Sequence, residues 1–185
     1  MPLLVPPDSR FQVSFLESVE EFEHTLGEDA RFAGLGVLAA VGVFPGEMFT
    51  AQQLRDQETF AAYTARLHEV SLPETPLPEG IVSSTALWWA EENTYLGRVS
   101  VRHCLTKWLE DFGGHIGYAV RPSARRRGHA TAMLAASLPV AAELGISSAL
   151  VTCDADNLAS RRVIEANGGV LEDQRGEKLR YWLPT

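Results

Sequence analysis

The chain has 185 residues, 45% of them apolar and 22% charged, with a formal net charge of −8. That length and balance suit one globular domain with a substantial core, residues 1–185, without repeats or low-complexity tracts. The acidity excludes general nucleic-acid affinity, because phosphate backbones select basic surfaces.

The charge is uneven. Residues 1–90 hold 13 Asp/Glu against 4 Lys/Arg, and residues 91–185 hold 11 against 12. Cys104 and Cys153 are the only cysteines. Their spacing fits neither a metal clip nor a disulfide framework, so free thiols in a reducing cytoplasm are expected. Met1-Pro2-Leu3-Leu4-Val5-Pro6-Pro7 lacks a basic start and breaks on prolines, unlike a signal peptide. The longest apolar run, residues 32–44, is too short and glycine-rich to cross a bilayer, and no membrane association is expected.

In chain order, Leu3–Val5 reads as an opening strand. Ser14-Phe15-Leu16-Glu17 has the capping-box pattern. Phe15, Val19, Phe22 and Leu26 then recur at helical spacing up to a stop at Gly27. Thr50-Ala51-Gln52-Gln53 is a second capping box, leading a helix through Leu54, Ala61, Leu67 and Val70. Residues 71–80 carry three prolines and read as a connector. Residues 81–90 and 95–102 flank Glu91-Glu92-Asn93-Thr94 as a β-hairpin. Residues 104–114 form a connector with a helical turn near 105–109.

The next segment concentrates the chemistry. The apolar run His115-Ile116-Gly117-Tyr118-Ala119-Val120 is strand-like. After Pro122 comes Arg125-Arg126-Arg127-Gly128-His129-Ala130, and then a helix-like run over 131–144, interrupted at Pro139 and closed by Gly145. A strand feeding a glycine-containing turn and a helix presents free backbone N–H groups at the positive end of the helix dipole, which holds a phosphate or pyrophosphate. Gly128 permits close approach of the anion, and small Ala130 leaves the next turn uncluttered. A second strand follows at Ser148-Ala149-Leu150-Val151-Thr152-Cys153. Asp154-Ala155-Asp156-Asn157 then caps a helix to about Ala166, closed by Asn167-Gly168-Gly169. Val170-Leu171 and residues 178–183 are the last expected strands, with Asp173-Gln174-Arg175-Gly176-Glu177 as their turn.

The order strand, R-x-x-G-x-A, helix, strand, N-x-x-S, helix, GG resembles the GCN5-related N-acetyltransferase (GNAT) family over roughly residues 94–182. The resemblance implies an α/β (α+β) fold: a mixed, mostly antiparallel sheet flanked by helices. The strands ending at Val120 and near Cys153 should splay apart to admit the pantetheine arm of acetyl-CoA, the implied co-substrate. Residues 1–80 would then form the acceptor-side wall, and residues 81–185 the cofactor-binding core. Carried over residue by residue, Tyr118, Ala119 and Val120 would pair with the arm like an added strand. Arg125, Arg126, Arg127, Gly128, His129, Ala130 and Thr131 would hold the pyrophosphate. Asn157 would bond the arm near the sulfur, and small Ser160 would let its helix lie close. Asn157 also reads as an ordinary N-cap, and Tyr118 as a sheet-face aromatic.

The implied reaction is direct attack by an amine of a small molecule, peptide or protein on the thioester, without an enzyme nucleophile. Two family features are absent. Ile164 stands where relatives carry a tyrosine that protonates the leaving thiolate, and Thr152 where some carry a carboxylate base. Glu110 is the preferred substitute base, ahead of His103, Asp111 and His115, with Tyr181 as a remote acid. These absences also admit a second reading, a non-catalytic acyl-CoA-binding regulatory module. The assembly state, monomer or homodimer, is open.

Overall fold

The computed structural model describes residues 1–26, 42–44 and 47–185. The stop expected at Gly27 and most of the apolar run at 32–44 lie outside them. In chain order the elements are strand β1 (Leu3–Val5), helix α1 (Gln12–Leu26), strands β2 (Gly42–Phe44) and β3 (Glu47–Met48), and helix α2 (Gln57–Glu69). The hairpin β4 (Ser84–Glu91) and β5 (Thr94–Arg102) follows, then β6 (Ile116–Val120), α3 (His129–Glu143) and β7 (Ser148–Asp154). Helix α4 (Leu158–Ala166) and the hairpin β8 (Val170–Arg175) and β9 (Lys178–Pro184) complete the chain.

The strands form a sheet of order β1-β4-β5-β6, a second of order β7-β9-β8, and a short β2-β3 ribbon, and every ladder among them is antiparallel. Helices cover both faces of the larger sheet. Val99, Val101, Ile116 and Val120 pack with Met133 and Leu134 of α3 and Ile164 of α4. Trp88 and Tyr95 pack on the other face with Phe15 and Phe22 of α1 and Phe60 and Tyr63 of α2. Tyr95 and Val99 reach opposite cores because Trp89 pairs with Gly97 but Ala90 pairs with Tyr95, leaving Leu96 as a bulge that inverts the alternation. The second core is aromatic: Phe15 stacks on Trp88 at 5.1 Å and meets Tyr95 and Phe60 edge-on at 5.2 and 5.4 Å.

Local signals set element boundaries only where no tertiary partner competed. Ser14 and Glu17, expected as a capping box, lie inside α1. Ser14 Oγ instead accepts from the Tyr95 amide and from Arg121 Nη1, both at 3.0 Å, and Glu17 pairs with Arg121. The helix is entered through a short turn at Ser9–Phe11, where Asp8 accepts from the Arg10 amide. The box at Thr50 does form: Thr50 N donates to Gln53 Oε1 at 2.8 Å, and Gln53 N donates to Thr50 Oγ1 at 3.1 Å. It opens a single 3₁₀ turn, Gln53–Arg55, and α2 starts afresh from Asp56, whose carboxylate accepts from Thr59 N. The turn expected near 105–109 is a wide π turn at Leu109–Gly113, and β8 continues to Arg175, reducing the final turn to Gly176 and Glu177.

Candidate active site

β6 and β7 belong to different sheets, yet their N-terminal ends meet. His115 N donates to Leu150 O at 2.7 Å, and Leu150 N donates to His115 Nδ1 at 2.9 Å. The second bond replaces a ladder carbonyl with an imidazole. Gly114 makes the approach possible, because its φ is +64° and a Cβ there would lie 2.5 Å from Leu150 O. On the other side of the junction Thr152 Oγ1 donates to Phe112 O at 2.7 Å. Past His115 no ladder joins the two strands. A wedge therefore opens between them, with its apex at Gly114 and Leu150.

The segment after β6 leads to the mouth of this wedge. A 3₁₀ turn at Pro122–Ala124 ends it, and the loop then takes two left-handed residues, Arg126 (φ +63°) and Gly128 (φ +81°). Gly128 is the N-cap of α3 and supplies no side-chain cap. The first bond across the cap runs from Ala132 N to Gly128 O at 3.1 Å. The amides of Arg126 through Thr131, which include the first turn residues His129 and Ala130, carry no acceptor among the described residues. Uncapped amides at the positive end of a 15-residue helix have the geometry that suits an anion. A Cβ on Gly128 would meet nothing within 4 Å, so the space in front of the loop is open.

The three arginines divide. All three are exposed, and Arg126 and Arg127 extend from the loop without side-chain partners among the described residues. Arg125 turns back toward α1: its Nε donates to Val120 O at 3.2 Å, and its guanidinium lies 5.4 Å from the Phe22 ring centroid. Burial lowers its pKa, partly offset by Glu21. His129 is fixed by Trp89, whose Nε1 donates to His129 Nδ1 at 3.2 Å.

Across the wedge, β6 and α4 are brought together by Tyr118, whose hydroxyl lies 2.7 Å from Ser160 Oγ. Burial pushes the Tyr118 phenol up to about 12. Asn157 caps α4 by accepting from Ser160 N at 3.0 Å, which leaves its amide nitrogen for other partners. Ala119 packs toward the α1/α2 core. Ile164 is fully buried in the other core. Glu110 lies apart from the Tyr118–Ser160 pair. Its half-exposed carboxylate pairs with Lys107 at 3.4 Å, and its carbonyl accepts from Arg180 Nε. His103 bonds Thr85, Asp111 pairs with Arg175, and Tyr181 bonds Glu165.

Arg102 was not singled out by sequence, where its only trace is a basic residue closing a strand before Gly113-Gly114. Its Nη1 donates to both Gly113 O and Gly114 O at 2.9 Å, which places it at the apex of the wedge. Burial, reinforced by the like charge of Arg98, lowers its pKa to about 10.

Residues 48–170 match the family model described as acetyltransferase (GNAT) domain. Among solved structures the chain resembles RimL, the ribosomal L7/L12 α-N-protein acetyltransferase, in complex with coenzyme A, at 15% identity and TM-score 0.61 over 98% of this chain and 92% of that one. It also resembles the microcin C7 self-immunity acetyltransferase MccE, bound to acetyl-CoA and AMP, at 11% identity and TM-score 0.60 over 98% and 91%. PaiA N-acetyltransferase from Thermoplasma acidophilum, in complex with coenzyme A, matches at 10% identity and TM-score 0.57 over 100% and 99%. These likenesses establish a shared fold. No curated protein matches the sequence. Because the family match spans well over half of a chain with this fold, the protein belongs to the GNAT acetyltransferase family and is an acetyl-CoA-dependent N-acetyltransferase.

Proposed function

We propose that the free amides at the start of α3 hold the pyrophosphate of acetyl-CoA, with its arm running into the wedge along Tyr118, Ala119 and Val120. The observation that carries this reading is the coincidence of an uncapped helix terminus with a sheet split in two at its side. Arg126 and Arg127 add charge at the phosphates, and the backbone of Arg125 shapes the turn. Asn157 and Ser160 line the arm from α4. The acceptor enters from the α1/α2 side, where these two helices form the wall. RimL acts on a protein α-amine, and a protein or small-molecule amine is the acceptor class here.

The amine attacks the thioester carbonyl, and coenzyme A leaves as the thiolate. An ordinary alkylamine titrates near 10.4, so its deprotonation at pH 7 costs roughly 5 kcal/mol, which a positioned base offsets. Glu110 is the proposed base. It stands on the turn that leads into Gly114, and its exposed pairing with Lys107 is weak enough to yield to an arriving ammonium. Cys104 and Cys153 are both free, in keeping with a reducing cytoplasm. A homodimer is compatible with this reading, and analytical ultracentrifugation reads the assembly state directly.

Thiol release from acetyl-CoA across an amine panel, with coenzyme A binding measured in parallel by calorimetry, tests the proposal. Turnover with at least one amine class supports it. With the buried Ile164 and the Thr152–Phe112 bond in place of a tyrosine and a carboxylate, proton transfer falls to other groups, of which Glu110 is the proposed one. Tight coenzyme A binding without turnover of any amine would contradict the proposal.

A further inference from the structure

Strand alternation determines what the sheet offers on its α1/α2 side near the wedge. Val99, Val101, Ile116, Tyr118 and Val120 turn toward the opposite core. Arg98, Ser100 and Arg102 of β5 therefore share the acceptor-side face with Gly117 and Ala119 of β6, in the register Arg98↔Ala119 and Ser100↔Gly117. A Cβ built on Gly117 would meet only the two terminal nitrogens of Arg102, at 3.6 and 3.8 Å. The guanidinium thus lies over a glycine, one strand position before Tyr118.

Only one of its nitrogens is committed. Nη1 serves the carbonyls of Gly113 and Gly114, while Nε and Nη2 have no acceptor, and no carboxylate pairs with Arg102 among the described residues. Ser100 Oγ beside it is likewise without a hydrogen bond among the described residues. Burial and the nearby Arg98 both act against the charge of Arg102, and an arriving anion would relieve both. A planar guanidinium with a free edge is shaped to take an oxyanion through paired N–H donors.

We propose that Arg102 receives a carboxylate or phosphate carried by the acceptor close to its amine, so that the enzyme prefers anionic amines such as amino acids or aminoalkyl phosphates. The proposal rests on the acetyl-transfer reading and names the substrate class for that site.

The test uses the full chain saturated with acetyl-CoA and matched amine pairs: amino acids against their amides, and aminoalkyl phosphates against the amino alcohols. The anionic member should react with kcat/KM about tenfold or more above its neutral partner. R102Q should abolish that ratio while leaving coenzyme A affinity unchanged. G117A, whose Cβ makes only ordinary contact with Arg102, should shrink the ratio in a stably folded protein. Equal or faster reaction of the neutral members, equal losses for both members in R102Q, or no turnover of any anionic amine by a protein that binds coenzyme A would each overturn the proposal. Failure to bind coenzyme A would strike the cofactor reading instead, and this proposal with it.

Discussion

Gly128 combines a φ of +81° with open space in front of its Cα, and it does so at the N-cap of α3. The strain of a β-branched side chain in that region is about 1–2 kcal/mol, and its methyl groups would stand where a phosphate approaches the loop amides. Gly128→Val is expected to weaken coenzyme A binding more than tenfold by calorimetry, with a smaller loss in Tm. Unchanged affinity in a folded variant would remove the loop from the binding site. Tyr118 and Ser160 should behave differently. Their bond is a single contact across the wedge, so Tyr118→Phe should cost about 1 kcal/mol of stability, read by denaturant unfolding. The glycine turn before α3, proposed to hold phosphate by its backbone, was legible in the sequence because such a turn has a local pattern. Arg102 was not, because its placement depends on a carbonyl pair 11 and 12 residues away and on a glycine across the sheet.

At the scale of elements, the two sheets meet through His115, and this makes the junction pH-dependent. Its Nδ1 must be unprotonated to accept from Leu150 N. Burial, with the Arg102 guanidinium, lowers its pKa below the usual 6.5. The unfolded chain therefore binds more protons than the native state as pH falls through about 6.5, so stability is full above that value and declines below it. His103, also lowered by burial, contributes in the same direction. His115→Asn retains an acceptor without titrating, and its Tm should fall less than that of the parent between about pH 7.5 and 5.5. Identical slopes would show that the imidazole is not the sensitive group. A second tie joins β6 to α1. Arg121 pairs with Glu17 and Glu21 and donates to Ser14, while Glu21 also accepts from Ser123 N. Removing the guanidinium leaves a partly buried carboxylate unmatched, so Arg121→Ala should cost about 1–3 kcal/mol in denaturant unfolding. Element identity was largely readable from periodicity. Element starts were not where tertiary partners took over local caps, as Tyr95 and Arg121 took over Ser14.

For the whole molecule, the sheet divides two cores with different tasks. The α3/α4 side carries the proposed cofactor loop, and the α1/α2 side is an aromatic block centred on Phe15 and Trp88. Phe15→Ala should remove about 3–5 kcal/mol, checked by calorimetric or denaturant unfolding. The layering of helices on both faces was implied by the family resemblance. The splay of β6 and β7 was likewise expected from the resemblance alone, whereas the glycine and histidine that fix its apex gave no local signal, their partners lying more than 30 residues away. The most direct measurement is a crystal structure of the chain with coenzyme A. Pyrophosphate oxygens within hydrogen-bond distance of the amides of Arg126 through Thr131, with the arm between β6 and β7, are the predicted result. A ligand lodged elsewhere, with those amides unengaged, would contradict the account.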